Sequence, residues 1–101
     1  MERWTVRDRL GHEIYMTKER WLHITSKHGE LLGHLADVLE TLRKGRRKQE
    51  RRDPQRFRYQ RQCFTLQNGD NQITAVVVFS FHELEDGTVR PNNFVTTNGL
   101  G

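Results

Sequence analysis

The sequence is poor in cysteine, serine and proline, and it has no long apolar run. Its one cysteine, Cys63, cannot close an internal disulfide or build a Cys-rich zinc site. No stretch of about 18 apolar residues occurs, which excludes a helical membrane span. The opening residues Met1-Glu2-Arg3-Trp4 lead into mixed charges instead of the apolar core of a secretory signal, so a cytoplasmic protein is expected. The two serines, Ser26 and Ser80, lie outside any GxSxG elbow. Phosphate-cradling GxxxxGKS/T and GxGxxG segments are missing, and His12-Glu13 lacks the second His of an HExxH site. Carboxylates do not cluster in a magnesium-holding pattern. Neither a cofactor nor a metal is expected.

What the chain does have is arginine. Lys and Arg number 17 against 13 acidic residues, for a net charge of +4. That balance is uneven. From Arg43 to Arg61 ten basic residues face only Glu50 and Asp53, and the remainder of the chain is net acidic. Arg outnumbers Lys 13 to 4, and its planar fork matches phosphate oxygens in pairs. A concentrated basic block of this kind suits nucleic acid; a solvated loop or a dock for an acidic protein is the plainer reading. With 101 residues, 34% hydrophobic and 30% charged, residues 1–101 are expected to form a single domain with a small core.

The hydrophobic pattern predicts the elements. Arg3 to Asp8 and Glu13 to Met16 read as extended pieces around Gly11-His12. Thr17 is a plausible N-cap for a helix from Lys18 to about Lys27, with Glu19 favoured by the helix dipole in the first turn. Leu31, Leu32, Leu35, Val38, Leu39 and Leu42 recur at spacings of three and four, which predicts a second helix capped at Gly45. Beyond it Phe57, Tyr59, Cys63 and Thr65 alternate with Arg58, Gln60 and Gln62, a strand with one polar face. Asn68 to Asn71 is turn chemistry, and Ile73 to Phe81 reads as a central strand covered on both faces. Asp86-Gly87 marks a further tight turn, Phe94 to Thr97 a last strand, and Gln49 to Arg52 an Arg-protected edge strand. Two helices followed by an antiparallel sheet make an α+β fold.

The chemistry left to such a sequence is that of His, Arg, Lys, Tyr and Thr. Those groups can break an RNA phosphodiester without a metal, because the 2′-hydroxyl is an internal nucleophile. The reaction needs a base, an acid and cations on the phosphoryl oxygens, and imidazole, with a pKa of about 6.5, suits either proton role. His23 and Lys27 share a helix face. His28 lies about 140° further round from His23, so the two can share a substrate only if the helix ends before His28. The bland alternatives are a hydrogen-bonded core position for His28, a surface position for His23 and a structural role for His34. Nothing nominates His12 or His82, and the spacing of His23 and His28 argues against a zinc site.

The series Arg20-Trp21-Leu22-His23-Ile24, Lys27-His28-Gly29-Glu30-Leu31, Glu40-Thr41-Leu42, Arg58-Tyr59, Ala75 to Val78 and Phe94 to Thr97 resembles small proteins of the barnase–EndoU–colicin–RelE-like superfamily of metal-independent nucleases. Gly29 stands where such proteins often carry Pro, and Asn98-Gly99 follows the threonines in place of an aromatic. The resemblance implies two N-terminal helices on one face of a curved antiparallel sheet, and an endoribonuclease, often the toxin paired with an acidic antitoxin protein. It implies site positions at His23, His28, Arg58, Tyr59 and Thr96. Lys27, Arg46, Arg47, Arg51, Arg52, Arg56 and Arg61 are the expected RNA-binding cations, with Tyr59 or another exposed aromatic stacking on a base. Strand alternation sets Arg58 and Tyr59 on opposite faces unless a bulge intervenes. The alternative is a non-catalytic module that binds nucleic acid or an acidic protein. Catalysis requires imidazole and guanidinium groups to converge in one groove.

Overall fold

A computed structural model describes residues 2–64 and 71–96. Strands β1 (Arg3–Arg7) and β2 (Glu13–Thr17) form an antiparallel pair and run directly into helix α1 (Lys18–Lys27). A 3-10 turn (Gly29–Leu31) and helix α2 (Leu35–Lys44) follow, then β3 (Arg46–Gln49), β4 (Arg56–Gln62), β5 (Gln72–Val78), β6 (Phe81–Glu83), β7 (Val89–Pro91) and β8 (Asn93–Thr96). Six strands make one sheet in the order β1-β2-β8-β5-β4-β3, while β6 and β7 pair as a separate two-stranded hairpin. The fold is α+β and the sheet mostly antiparallel. One pair departs from that pattern: β2 and β8 run parallel, with Ile14 beside Asn93 and Tyr15 beside Phe94. The N-terminal strands thus belong to the main sheet, so the order is not helices first and sheet second. Among the described residues no helix is long and apolar enough to cross a membrane.

Helix α1 begins and ends where its sequence directs. Extended Thr17 accepts a hydrogen bond from the Arg20 N–H at 3.1 Å, and Glu19 lies in the first turn. The His28 N–H closes the last turn onto the Ile24 carbonyl at 2.8 Å. The helix therefore ends before His28. Helix α2 is shorter than its leucine pattern predicts. Gly33 takes a left-handed φ of +82° and breaks the run; Leu31 falls in the 3-10 turn and Leu32 is exposed. A backbone φ of that sign strains any residue with a Cβ, so glycine there overrides the apolar period. Gly45 does cap α2, but for a different reason: its backbone is extended, and a Cβ would collide with the Thr41 carbonyl and lie 3.0 Å from that of Gln60.

Alternation along the strands builds the core. Tyr59, Ala75, Ile73, Val77 and Val95 share one face with Ile14 and Met16, and they form one buried cluster with Ile24 of α1 and with Val38 and Leu42 of α2. Helix α2 lies against β4, β5 and β1, and α1 against β2. Strand β5 is central, between β8 and β4, and its Val76 and Val77 are both buried although they point to opposite faces. The continuous run from Ile73 to Phe81 nevertheless does not make one strand. β5 ends at Val78, and Phe81 opens the β6–β7 hairpin, whose turn uses Gly87 at φ +85° as the Asp86-Gly87 pair predicts. The edge strand also lies earlier than expected, at Arg46–Gln49 instead of Gln49 to Arg52, because Arg46 to Gln49 align with Gln60 to Phe57. The expected strand position of Thr65, the turn at 68–70 and Thr97 lie outside the described residues.

Candidate nucleic-acid interface

The two halves of the Arg58-Tyr59 pair go to opposite sides, as alternation requires. Tyr59 is 1% exposed among the core residues, and its hydroxyl donates to Asp8 Oδ2 at 2.6 Å. Arg58 stands exposed on the other face. On that face the register aligns Lys48, Arg58, Val76 and Thr96 across four neighbouring strands. Strands lie about 4.8 Å apart, so the Arg58 and Thr96 backbones are separated by about 10 Å. Thr96 is itself buried, and the Arg58 Nε donates to the Glu50 carboxylate.

Two clefts flank β3 and meet at Gln60. The first is lined by Lys48, Glu50, Arg51, Arg52, Arg58 and Gln60. The second is lined by Arg9, Lys44, Arg46, Arg61, Phe64 and Gln72, again with Gln60. Ion pairs hold Arg43 and Lys44 to Glu40, Arg47 to Asp8, Arg56 to Asp53 and Arg61 to Asp37. Arg46, Lys48, Arg51 and Arg52 are exposed and make no ion pair among the described residues. Together with Arg9, which lines the second cleft and is likewise exposed and outside any ion pair among the described residues, those four cations carry the positive potential of the two clefts. Phe64, 76% exposed, supplies the flat apolar surface that Tyr59, being buried, does not. The sequence offered no periodic signal for Phe64, because it lies just beyond β4.

The histidines divide by their surroundings. His23 is exposed on α1 and lines a cleft with Thr17, Glu19, Arg20 and Leu22. Arg20 and Thr17 also line the adjoining cleft with Tyr15 and Phe94 on the sheet. His28 is half-buried, with Nδ1 3.5 Å from Glu30. Lys27 is exposed at the end of α1.

A dense polar cluster joins Tyr59 and Arg47, which the sequence nominates for RNA, to Asp8 and His12, which it does not. Asp8 accepts from the Leu10 and His12 N–H groups at 2.9 Å each and from Tyr59. Its Oδ2 lies 3.3 Å from His12 Nδ1 and 3.7 Å from Arg47. Arg47 reaches His12 Nδ1 at 3.2 Å and lies over the Phe57 ring at 4.5 Å. Arg47 is thus half-buried against the protein itself and not directed into the basic clefts. Burial opposes the charge on Asp8, but the Tyr59 hydroxyl and the backbone donors outweigh it, so the carboxyl stays below its ordinary range. Burial pushes the Tyr59 phenol well above its ordinary range, and the neighbouring carboxylate adds to the shift. Sequence alone gave no route to this cluster, since Asp8 and Tyr59 are 51 positions apart.

Arg61 is likewise turned to the protein. Its guanidinium donates to the Asp37 carbonyl at 3.1 Å and lies 3.5 Å from the Asp37 carboxylate. His34 Nδ1 is 3.0 Å from the same carboxylate. This hydrogen bond lowers the Asp37 pKa against the cost of burial, with the charges of His34 and Arg61 helping. No protein-family model, curated protein or solved structure matches the chain.

Proposed function

We propose that the protein binds single-stranded RNA along β3 and cleaves it without a metal, as an endoribonuclease of RelE-like type with helices on one side of the sheet. The observation that carries this reading is the pair of cation-lined clefts meeting at Gln60, with Arg58 on the exposed sheet face and Phe64 at the rim. Arg46, Lys48, Arg51 and Arg52 neutralise phosphates, and Phe64 stacks on an unpaired base. Arg58 stabilises the charge that develops on the phosphoryl oxygens once it exchanges Glu50 for phosphate. His23, which lines a separate cleft on α1 that shares no residue with these two, reaches the reacting oxygens only if RNA binding brings α1 to the phosphate. An acidic antitoxin protein would cover the same cations.

A second reading, binding without cleavage, is favoured by one observation. Tyr59 is committed to Asp8, His28 to Glu30 and Arg58 to Glu50, so three groups assigned to chemistry already have partners. One assay separates the two. Purified protein is incubated with RNA in EDTA and the fragments are examined for 2′,3′-cyclic phosphate ends. The proposal expects such ends, and expects them to be lost in His23→Ala. Intact RNA that is nevertheless retained in a salt-sensitive complex establishes the binding module. Cleavage only on addition of a divalent ion overturns the mechanism.

A further inference from the structure

The N-terminal end of α2 and the end of β4 bring three different metal-ligating side chains together. His34 precedes α2, Asp37 lies in its first turn and Cys63 follows β4. One ligand atom from each lies within 4.8 Å of the other two. His34 and Asp37 are half-buried and Cys63 is buried. The carboxylate is already oriented. Its Oδ1 lies 3.5 Å from Arg61, while Oδ2 faces His34 Nδ1 at 3.0 Å.

From this geometry we infer a site for a Zn2+-class transition metal ion formed by His34, Asp37 and Cys63. The donor chemistry selects the ion. A thiolate, an imidazole and a carboxylate together suit Zn2+ or Co2+, whereas Mg2+ and Ca2+ prefer oxygen ligands. Three protein ligands leave one tetrahedral position for water. Binding deprotonates the Cys63 thiol and releases that proton to solvent, and His34 ligates through a neutral Nδ1. Arg61 holds the carboxylate oxygen that the metal does not use, the part outer partners play around metal ligands. A metal here clips the start of α2 to the end of β4, a strand that α2 packs against. Arg61 also lines the second basic cleft and Phe64 directly follows Cys63, so the site borders the proposed RNA surface, and its test is therefore read without RNA.

The missed signal is tertiary. Cys63 is a single thiol in the sequence, and its two co-ligands, at and just before the start of α2, lie 26 or more positions earlier. The test uses Co2+ as a spectroscopic probe on protein carrying no affinity tag. Stoichiometric binding is expected, with a thiolate-to-cobalt charge-transfer band, intense tetrahedral visible bands and displacement by Zn2+. The isosteric Cys63→Ser variant loses the charge-transfer band, and His34→Ala weakens binding by at least about 10-fold. Circular dichroism of each variant checks that the fold is retained, and Zn2+ raises the Tm of the unaltered protein but not of Cys63→Ser. Weak octahedral spectra identical in the unaltered protein and Cys63→Ser overturn the site, as does the absence of Co2+ binding. Because absorption and Tm are read without RNA, failure here leaves the nuclease proposal standing, and the converse holds.

Discussion

The two faces of the six-stranded sheet receive alternate residues of the same strands and treat them in opposite ways. On the face that joins the buried core, Tyr59 follows Arg58 by a single residue and is 1% exposed. Its one polar atom is bonded to Asp8, and Asp8 in turn collects Leu10, His12 and Arg47. On the other face Arg58 is exposed, next to Lys48 and in a cleft with Arg51 and Arg52. The comparison separates two uses of charge. Buried polar groups are held where every partner is fixed, and losing one leaves the others stranded in low dielectric. Exposed cations contribute little to folding and remain available to a ligand.

The largest effect is expected where partners are most concentrated. Asp8→Ala strips acceptors from the buried Tyr59 hydroxyl, half-buried Arg47 and two backbone N–H groups, and should cost more in urea denaturation than the about 1–3 kcal/mol of a single stranded buried group. The same cluster contributes to the pH response, beside Asp37, Glu40 and Asp86, whose carboxyls are also held below their ordinary range by hydrogen bonds. Asp8 has a lowered folded pKa, so its contribution is full above the unfolded value of about 3.9 and is lost as the pH falls through the folded value. Tyr59 has a raised one, so its contribution is full below about 10 and is lost at more alkaline pH. Tyr59→Phe removes one donor and leaves the backbone donors in place. It should cost about 1–3 kcal/mol near neutrality and should flatten the alkaline fall. An unchanged alkaline limb would show that Tyr59 does not set it.

The contrast is tested from the other side at Arg58. Under the proposed function, Arg58→Gln should slow cleavage about 100- to 1000-fold, equivalent to roughly 2.7–4 kcal/mol of transition-state stabilisation. Stability should stay within about 0.5 kcal/mol of the unaltered protein. A large fall in Tm with cleavage intact would mean that the Arg58–Glu50 pair serves the fold, and the exposed face would lose its claim to chemistry.

How much of this was legible in the sequence depends on range. The α1 boundaries follow from Thr17, Glu19 and the residues beside them, and the opposition of Arg58 and Tyr59 follows from the period of a strand. Both are local. The leucine spacing misled around Leu32 because a period of three and four carries no record of the left-handed Gly33 that interrupts it. The parallel pairing of β2 with β8 and the joining of Asp8 and His12 to Arg47 and Tyr59 were not legible, because these links span 35 or more positions. Composition found the basic block, yet it could not tell Arg47 and Arg61, which turn inward, from Arg51 and Arg52, which do not.

That last distinction gives the smallest and sharpest test. Neutralising one phosphate on a single strand contributes about 0.7 to the slope of log K against log salt. Arg52 is exposed in the first cleft and outside any ion pair among the described residues, whereas Arg56 is half-buried with its Nε 2.9 Å from Asp53. Arg52→Gln should therefore flatten the salt dependence of RNA binding by about 0.7, while Arg56→Gln changes it much less because its charge is already matched. Filter binding of a short single-stranded RNA across a salt series reads both slopes. Equal flattening by the two variants would mean that ligand pulls Arg56 off Asp53, and that the ion pairs on this surface yield to phosphate as readily as bare cations do.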